Sequence, residues 1–179
     1  MLERSKKISP KPLPIKIYGE QILRTMSAEV ENFDRELVEL LKSTLLTMKL
    51  ANGLGLAANQ VGVNKRFFAI DVSHFDVVKE PLVIVNPEIV EISGSYLAEE
   101  GCLSFPGLFL EIERAERATI AGLGIDGKEL ILEGKNLMAK VMLHEIDHLN
   151  GKLFVDHLSR LKRNLIKGKL KKIKVGEKV

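Results

Sequence analysis

The segment LHEIDHLNGKLF, Leu143 to Phe154, restricts the fold more than any other part of the chain. In it, His144 and His148 stand four residues apart. Only on an α-helix does that spacing place two imidazoles on one face, one turn apart, able to grip one cation. Glu145, next to the first histidine, is then near enough to act on a water without itself being a ligand. HExxH is short, however, and also describes a helix with two satisfied histidines and a surface carboxylate. Two ligands do not hold a catalytic metal, and where one protease pattern has its third histidine this chain has Phe154. Either the match is accidental, or the chain brings a third donor to this helix from elsewhere.

Downstream of His148 the remaining acids are Asp156 and Glu177, the latter at the end of the chain. Asp156 and His157 are formal candidates. Upstream, Cys102 in EEGCLSFPG is a better one. A thiolate binds zinc and ferrous iron well, and one Cys with two His leaves a tetrahedral position open, as catalytic sites require. Gly101 lets the backbone pass close to an ion. The competing reading of a lone cysteine is a small buried hydrophobe. Because there is only one, no intramolecular disulfide can form.

The rest of the pattern predicts an α+β domain. Asp34 can cap a helix running to about Leu50, with Leu37, Leu40, Leu41, Leu45 and Met48 on one stripe. β-rich segments follow at RFFAIDV, PLVIVNPEIVEI, RATIAGLGI and ELIL. Asp126-Gly127 signals a hairpin and Gly134 is read as a strand breaker. From about Asn136 a helix carries Leu137, Val141, His144 and His148 on one face and stops at Gly151. Leu158, Leu161, Leu165, Leu170 and Ile173 predict a final amphipathic helix that Gly168 weakens. The expectation is mostly antiparallel β-sheets packed around a central HExxH helix, with an N-terminal and a C-terminal helix. Residues 1–14, with three prolines, are read as an extended lead-in and 15–179 as one domain.

A chain of 179 residues can bury a real core. No apolar run reaches the roughly 18 to 20 residues of a membrane span. The basic N-terminus lacks the apolar stretch of a secretory signal, so a cytoplasmic protein is expected, an organelle remaining open. Net charge is only +3, yet 157–175 holds eight Lys or Arg and no acid. Either a solvated helix face or electrostatic docking to nucleic acid explains such a tail.

Three blocks, GLGLAANQ (Gly53 to Gln60), EGCLS (Glu100 to Ser104) and HEIDH, occur in the order and spacing that resembles peptide deformylases. These enzymes remove the formyl group from the initiator methionine of new polypeptides. Weaker similarity runs from about Ile15 to the C-terminal helix. The resemblance implies one divalent metal on Cys102, His144 and His148, ferrous in the native enzyme, with zinc, nickel or cobalt as replacements. It implies Glu145 as general base and then acid, an oxyanion site at the Gln60 amide and the Leu103 N–H, and Gly55 as a backbone partner of the peptide. Leu54, Leu137 and Val141 would line a room for the methionine side chain, though each also reads as ordinary core. N-formylmethionyl nascent peptides are the implied substrates, and the ribosome a partner through residues 157–179. Oligomeric state is not legible. Departures from the pattern are EQILR in place of DPVLR, Asn59 where a proline is usual, and Phe109 where some members have a substrate-binding arginine. Two other readings stand beside this one. A general HExxH peptidase would use a ligand other than Cys102, and a non-catalytic ribosome- or RNA-binding module would have lost catalytic residues.

Overall fold

The computed structural model describes residues 9–75 and 80–176. It is an α+β fold in which every strand pairing is antiparallel. Strands β1 (Gly55–Ala57), β2 (Phe67–Ile70), β3 (Leu82–Ser93), β6 (Arg117–Leu123) and β7 (Glu129–Lys135) form one sheet in the order β1-β2-β3-β6-β7. β4 (Tyr96–Gly101) and β5 (Phe109–Arg114) make a separate hairpin. Among the helices, α1 spans Arg35–Leu50, α2 Leu137–Leu149, α3 Arg160–Leu165 and α4 Lys167–Lys174.

Alternation along the strands explains how the helices are placed. Phe67 and Ala69 of β2, with Val83 and Val85 of β3, pack with Leu37, Leu41 and Met48 of α1. Phe68, Ile70 and Ile84 point the other way and pack with Met138, Ala139, Met142 and Ile146 of α2. A strand covered on both faces should be apolar at every position, and all four residues of β2 are buried. α1 begins where expected, because the Asp34 carboxylate accepts the Leu37 N–H at 2.7 Å, a cap that contributes about 1 kcal/mol. Leu40 and Leu45 of the expected stripe are only partly buried.

The Asp126-Gly127 turn joins β6 to β7 as its sequence predicts, with Gly127 at φ +76°. Gly134, by contrast, does not break β7. It pairs with Ala118, and the strand continues to Lys135. A Cβ there would stand 2.7 Å from a Met142 side-chain atom and 2.9 Å from one of Met138. The missing side chain is what lets α2 lie close on the strand, so the signal read as a stop is a packing requirement.

The C-terminal segment also departs from expectation. Instead of one amphipathic helix, two short ones meet at Ile166. Leu161 and Leu165 are 72% and 77% exposed, so they are not part of a core stripe. Leu158, Leu170 and Ile173 are buried, in a third core with Leu23, Phe105 and Phe154. The segment is thus held to the body as far as Ile173. At the other end the first eight residues of the predicted lead-in lie outside those described. Its remainder has no regular structure but is tied to α1, through Lys11 N–H to Ser43 Oγ (3.2 Å) and Leu13 N–H to Thr47 Oγ1 (2.8 Å). Among the described residues, no helix is long and apolar enough to cross a membrane.

Candidate active site

α2 carries His144, Glu145 and His148 into the interior, where all three are buried. The imidazoles lie 4.9 Å apart between ring centres. Cys102 follows the last residue of β4, and its Sγ is 3.2 Å from His148 Nε2. One donor atom from each of Cys102, His144 and His148 lies within 4.8 Å of the other two, the one such cluster among the described residues. A single cation can touch all three, and one thiolate with two imidazoles is a good donor set for zinc or ferrous iron. The residues therefore fit a divalent metal.

Neither downstream alternative reaches this cluster. Asp156 is paired with Arg24 and accepts the Leu153 N–H. His157 Nε2 is 2.7 Å from the Asp147 carboxylate. Phe154, at the place of the missing third histidine, is a packing residue. Its ring meets Phe105 edge-on at 4.9 Å and lies 5.9 Å from the His144 ring.

The orientation of His144 comes from a buried ionic network. Its Nδ1 is 2.9 Å from Glu100, so a proton there meets the carboxylate and leaves the Nε2 lone pair free for a metal. Arg114 holds Glu100 with two bonds (2.6 and 3.2 Å) and reaches Asp147 at 2.6 Å. Burial pushes the Glu100 carboxyl up, but the hydrogen bonds from His144 and Arg114 outweigh it and hold the pKa at about 2. Asp147 is likewise at about 2, burial being outweighed by His157 and Arg114. For His148, burial and the neighbouring His144 lower the pKa well below the ordinary histidine value. A ring held neutral is the form that binds a cation. Burial also lowers that of His144, but hydrogen bonds to Cys102 and Glu100 prevail and raise it.

Glu145 is less fully paired than Glu100 and Asp147. Its Oε2 has no hydrogen-bond partner among the described residues, and burial pushes its pKa up to about 7. A carboxyl poised near neutrality can both take and give a proton. Gly55 of β1 lies directly against it, where a Cβ would collide with Oε1. Gly55→Ala is therefore expected to displace this carboxylate and lower kcat/KM by about 10²-fold, with the sheet intact. Steady-state kinetics beside a thermal melt would check this.

Gln60 is buried in the short 3₁₀ turn Ala58–Val61. Its Oε1 accepts the Ala57 N–H at 2.8 Å, which turns Nε2 towards Ser104 Oγ (3.2 Å) and Cys102 Sγ (3.4 Å). The preceding Asn59, where a proline is usual, donates from Nδ2 to the His148 carbonyl at 2.5 Å and so ties this turn to the end of α2.

A cavity of about 460 Å³ opens beside these groups. Gln60, Cys102, His144 and Glu145 line it, as do Leu54, Gly55, Leu103 and Val141. Leu137 does not. It sits at the first turn of α2, 40% exposed. Sequence reasoning had passed over Glu100, Arg114 and Asp147. Two of these lay inside the quoted motifs, Glu100 directly before GC and Asp147 within HEIDH. Arg114 reaches the others only through the pairing of β5 with β4. Lys140, also in the cavity wall, had no signal in the sequence beyond its place one turn before His144.

Comparison with known proteins gives one consistent result. Residues 12–164 match the family model for polypeptide deformylase. A peptide deformylase of Alkalilimnicola ehrlichii is 45% identical over 161 residues, covering 90% of each chain. One from Pseudoalteromonas translucida is 44% identical over 155 residues, 87% of this chain and 92% of the relative. Among solved structures, a peptide deformylase from Legionella pneumophila superposes with a TM-score of 0.84 at 44% identity, over 92% of this chain and 96% of that one. Another, from Ehrlichia chaffeensis in complex with actinonin, gives 0.84 at 37% identity, over 94% and 99%.

Proposed function

The chain belongs to the polypeptide deformylase family, and on that premise we propose that Cys102, His144 and His148 hold one divalent ion, with Glu145 as the group that moves the proton. The activity is metal-dependent hydrolysis of the formyl group from the N-terminus of nascent polypeptides. The gathering of three donor atoms beside a buried carboxyl group with one unpartnered oxygen carries the residue assignment.

When bound, the ion supplies Lewis acidity that lowers the pKa of water from above 15 to about 7. Glu145 takes the proton of the water that attacks the formyl carbon and passes a proton to the departing amine. Gln60 Nε2, its direction fixed by the Ala57 N–H, and the Leu103 N–H meet the charge that grows on the formyl oxygen. Each such donor is typically worth about 10² to 10³ in rate. Gly55 offers backbone to the peptide, and Leu54 and Val141 form the wall for the methionine side chain. Strands packed around α2 keep these groups in register. Ferrous iron is the native ion in this reading, since a thiolate with two imidazoles suits it as it does zinc.

The general peptidase alternative needed a ligand other than Cys102, and Asp156 and His157 are engaged elsewhere. Anaerobically prepared, metal-loaded protein should release formate from a formyl-Met peptide and leave an unformylated peptide uncut. Cys102→Ser should lose most of its metal. Full metal occupancy in that variant would remove Cys102 from the ligand set.

The enzyme acts in the cytoplasm in this reading, and the basic C-terminal segment docks it on the ribosome. Truncation would be a poor test, because Leu170 and Ile173 belong to the core. Replacing the exposed Lys169, Lys171 and Lys172 by Gln removes charge alone. Salt-sensitive ribosome binding should then weaken, and binding equal to that of the unaltered protein would refute the docking.

A further inference from the structure

Lys140 is a charged group that the deformylation chemistry leaves unused. It is half-buried, it lines the cavity, and it is the one lysine or arginine among the residues that do so. Its Nζ donates to the Glu99 carbonyl at 2.6 Å. That is its one hydrogen-bond partner among the described residues, so two of the three ammonium hydrogens are available. The nearby Glu100 carboxylate is already committed to His144 and Arg114. Burial lowers the Lys140 pKa, with Glu100 and Glu99 opposing. Its bond to Glu99 is exposed, so the ammonium group stays open to a molecule held in the cavity.

Its position along α2 sets how far it stands from the metal-binding cluster. Lys140 precedes His144 by one helical turn, roughly 6 Å along the axis. Five bonds separate the formyl carbon of a bound peptide from the thioether sulfur of its methionine, an extended reach also of roughly 6 Å. A side chain running along α2 from the metal-binding cluster thus ends level with Lys140 and Val141.

We propose that Lys140 is a specificity-determining residue, offering its ammonium hydrogens to an acceptor atom at the end of the formylated residue's side chain. The proposal rests on the deformylase reading of the cavity. A thioether sulfur is a weak acceptor, a norleucine methyl accepts nothing, and a sulfoxide oxygen accepts strongly. The wall therefore discriminates by acceptor strength as well as by shape, and favours a peptide whose initiator methionine is oxidised.

The test compares formyl-methionine sulfoxide, formyl-methionine and formyl-norleucine peptides of otherwise identical sequence, on metal-loaded enzyme. Wild type should prefer the sulfoxide over norleucine by about tenfold or more in kcat/KM, the worth of one charge-assisted hydrogen bond. Lys140→Met keeps the stem, removes the donors and should abolish that preference. Lys140→Arg should retain it. Metal content and a thermal melt, each compared with wild type, report whether the variant is folded. Wild type favouring norleucine would overturn the proposal without any variant, and so would a ratio unmoved by Lys140→Met. A Lys140→Met effect confined to peptides with an acidic second residue would place the cation on the following residue and also overturn it. Failure of wild type to act on the formyl-methionine peptide would instead strike the deformylase reading.

Discussion

Glu145→Ala should lower kcat for formate release by about 10² to 10⁴-fold while leaving metal content at the wild-type level. Losing a positioned general base typically costs that much. Glu145 is not one of the three clustered donors, so the metal should stay. The same change should leave thermal stability equal or higher, because it removes a buried carboxyl whose Oε2 has no partner. Lost activity with undiminished stability is the mark of a group placed for chemistry at a cost to the fold. Undiminished formate release would reject the role. Loss of both metal and activity would make Glu145 a ligand instead.

Arg114→Met should be the most destabilising single change near the site, and its effect should reach the metal without touching it. Arg114 is buried, and it binds Glu100 on β4 and Asp147 on α2. Removing one partner of a buried ionic group typically costs about 3–5 kcal/mol, roughly 10 °C or more in Tm for a chain of this size. Glu100 would also lose the fork that fixes its carboxylate, and with it the hold on His144 Nδ1. Losing such an outer partner commonly weakens metal affinity by about 10- to 100-fold. Arg114→Lys keeps the charge but not the two-pronged geometry and should fall between. Metal loss to a chelator, followed in all three proteins, is the discriminating readout. Identical loss rates in wild type and Arg114→Met would limit Arg114 to a stabilising role.

What the sequence revealed follows from how local each cause is. The Asp34 cap, the α1 stripe and the Asp126-Gly127 turn rest on neighbours within a few residues, and they appear where the pattern puts them. His144 and His148 share a face by helical period alone. Cys102 was reachable by donor chemistry and by block order. Gly134 was misread because its cause is not local: the absent side chain makes room for α2, which lies across the strand. The β4–β5 hairpin escaped for a related reason. Its segments YLAEEG and FLEIER carry much charge and look polar, and the feature that gives them meaning is Arg114 reaching Glu100 across the pair. The C-terminal leucines misled in the opposite direction, since helical spacing says nothing of whether a face finds a partner. Leu170 and Ile173 find one, whereas Leu161 and Leu165 do not.

X-ray absorption at the metal edge of anaerobically prepared protein addresses the ligand set most directly. The expected spectrum contains one sulfur and two imidazole nitrogens in the first shell, with the sulfur component lost in Cys102→Ser. A wild-type spectrum with no sulfur, or one unchanged in that variant, would contradict the assignment of Cys102, His144 and His148 as the metal site.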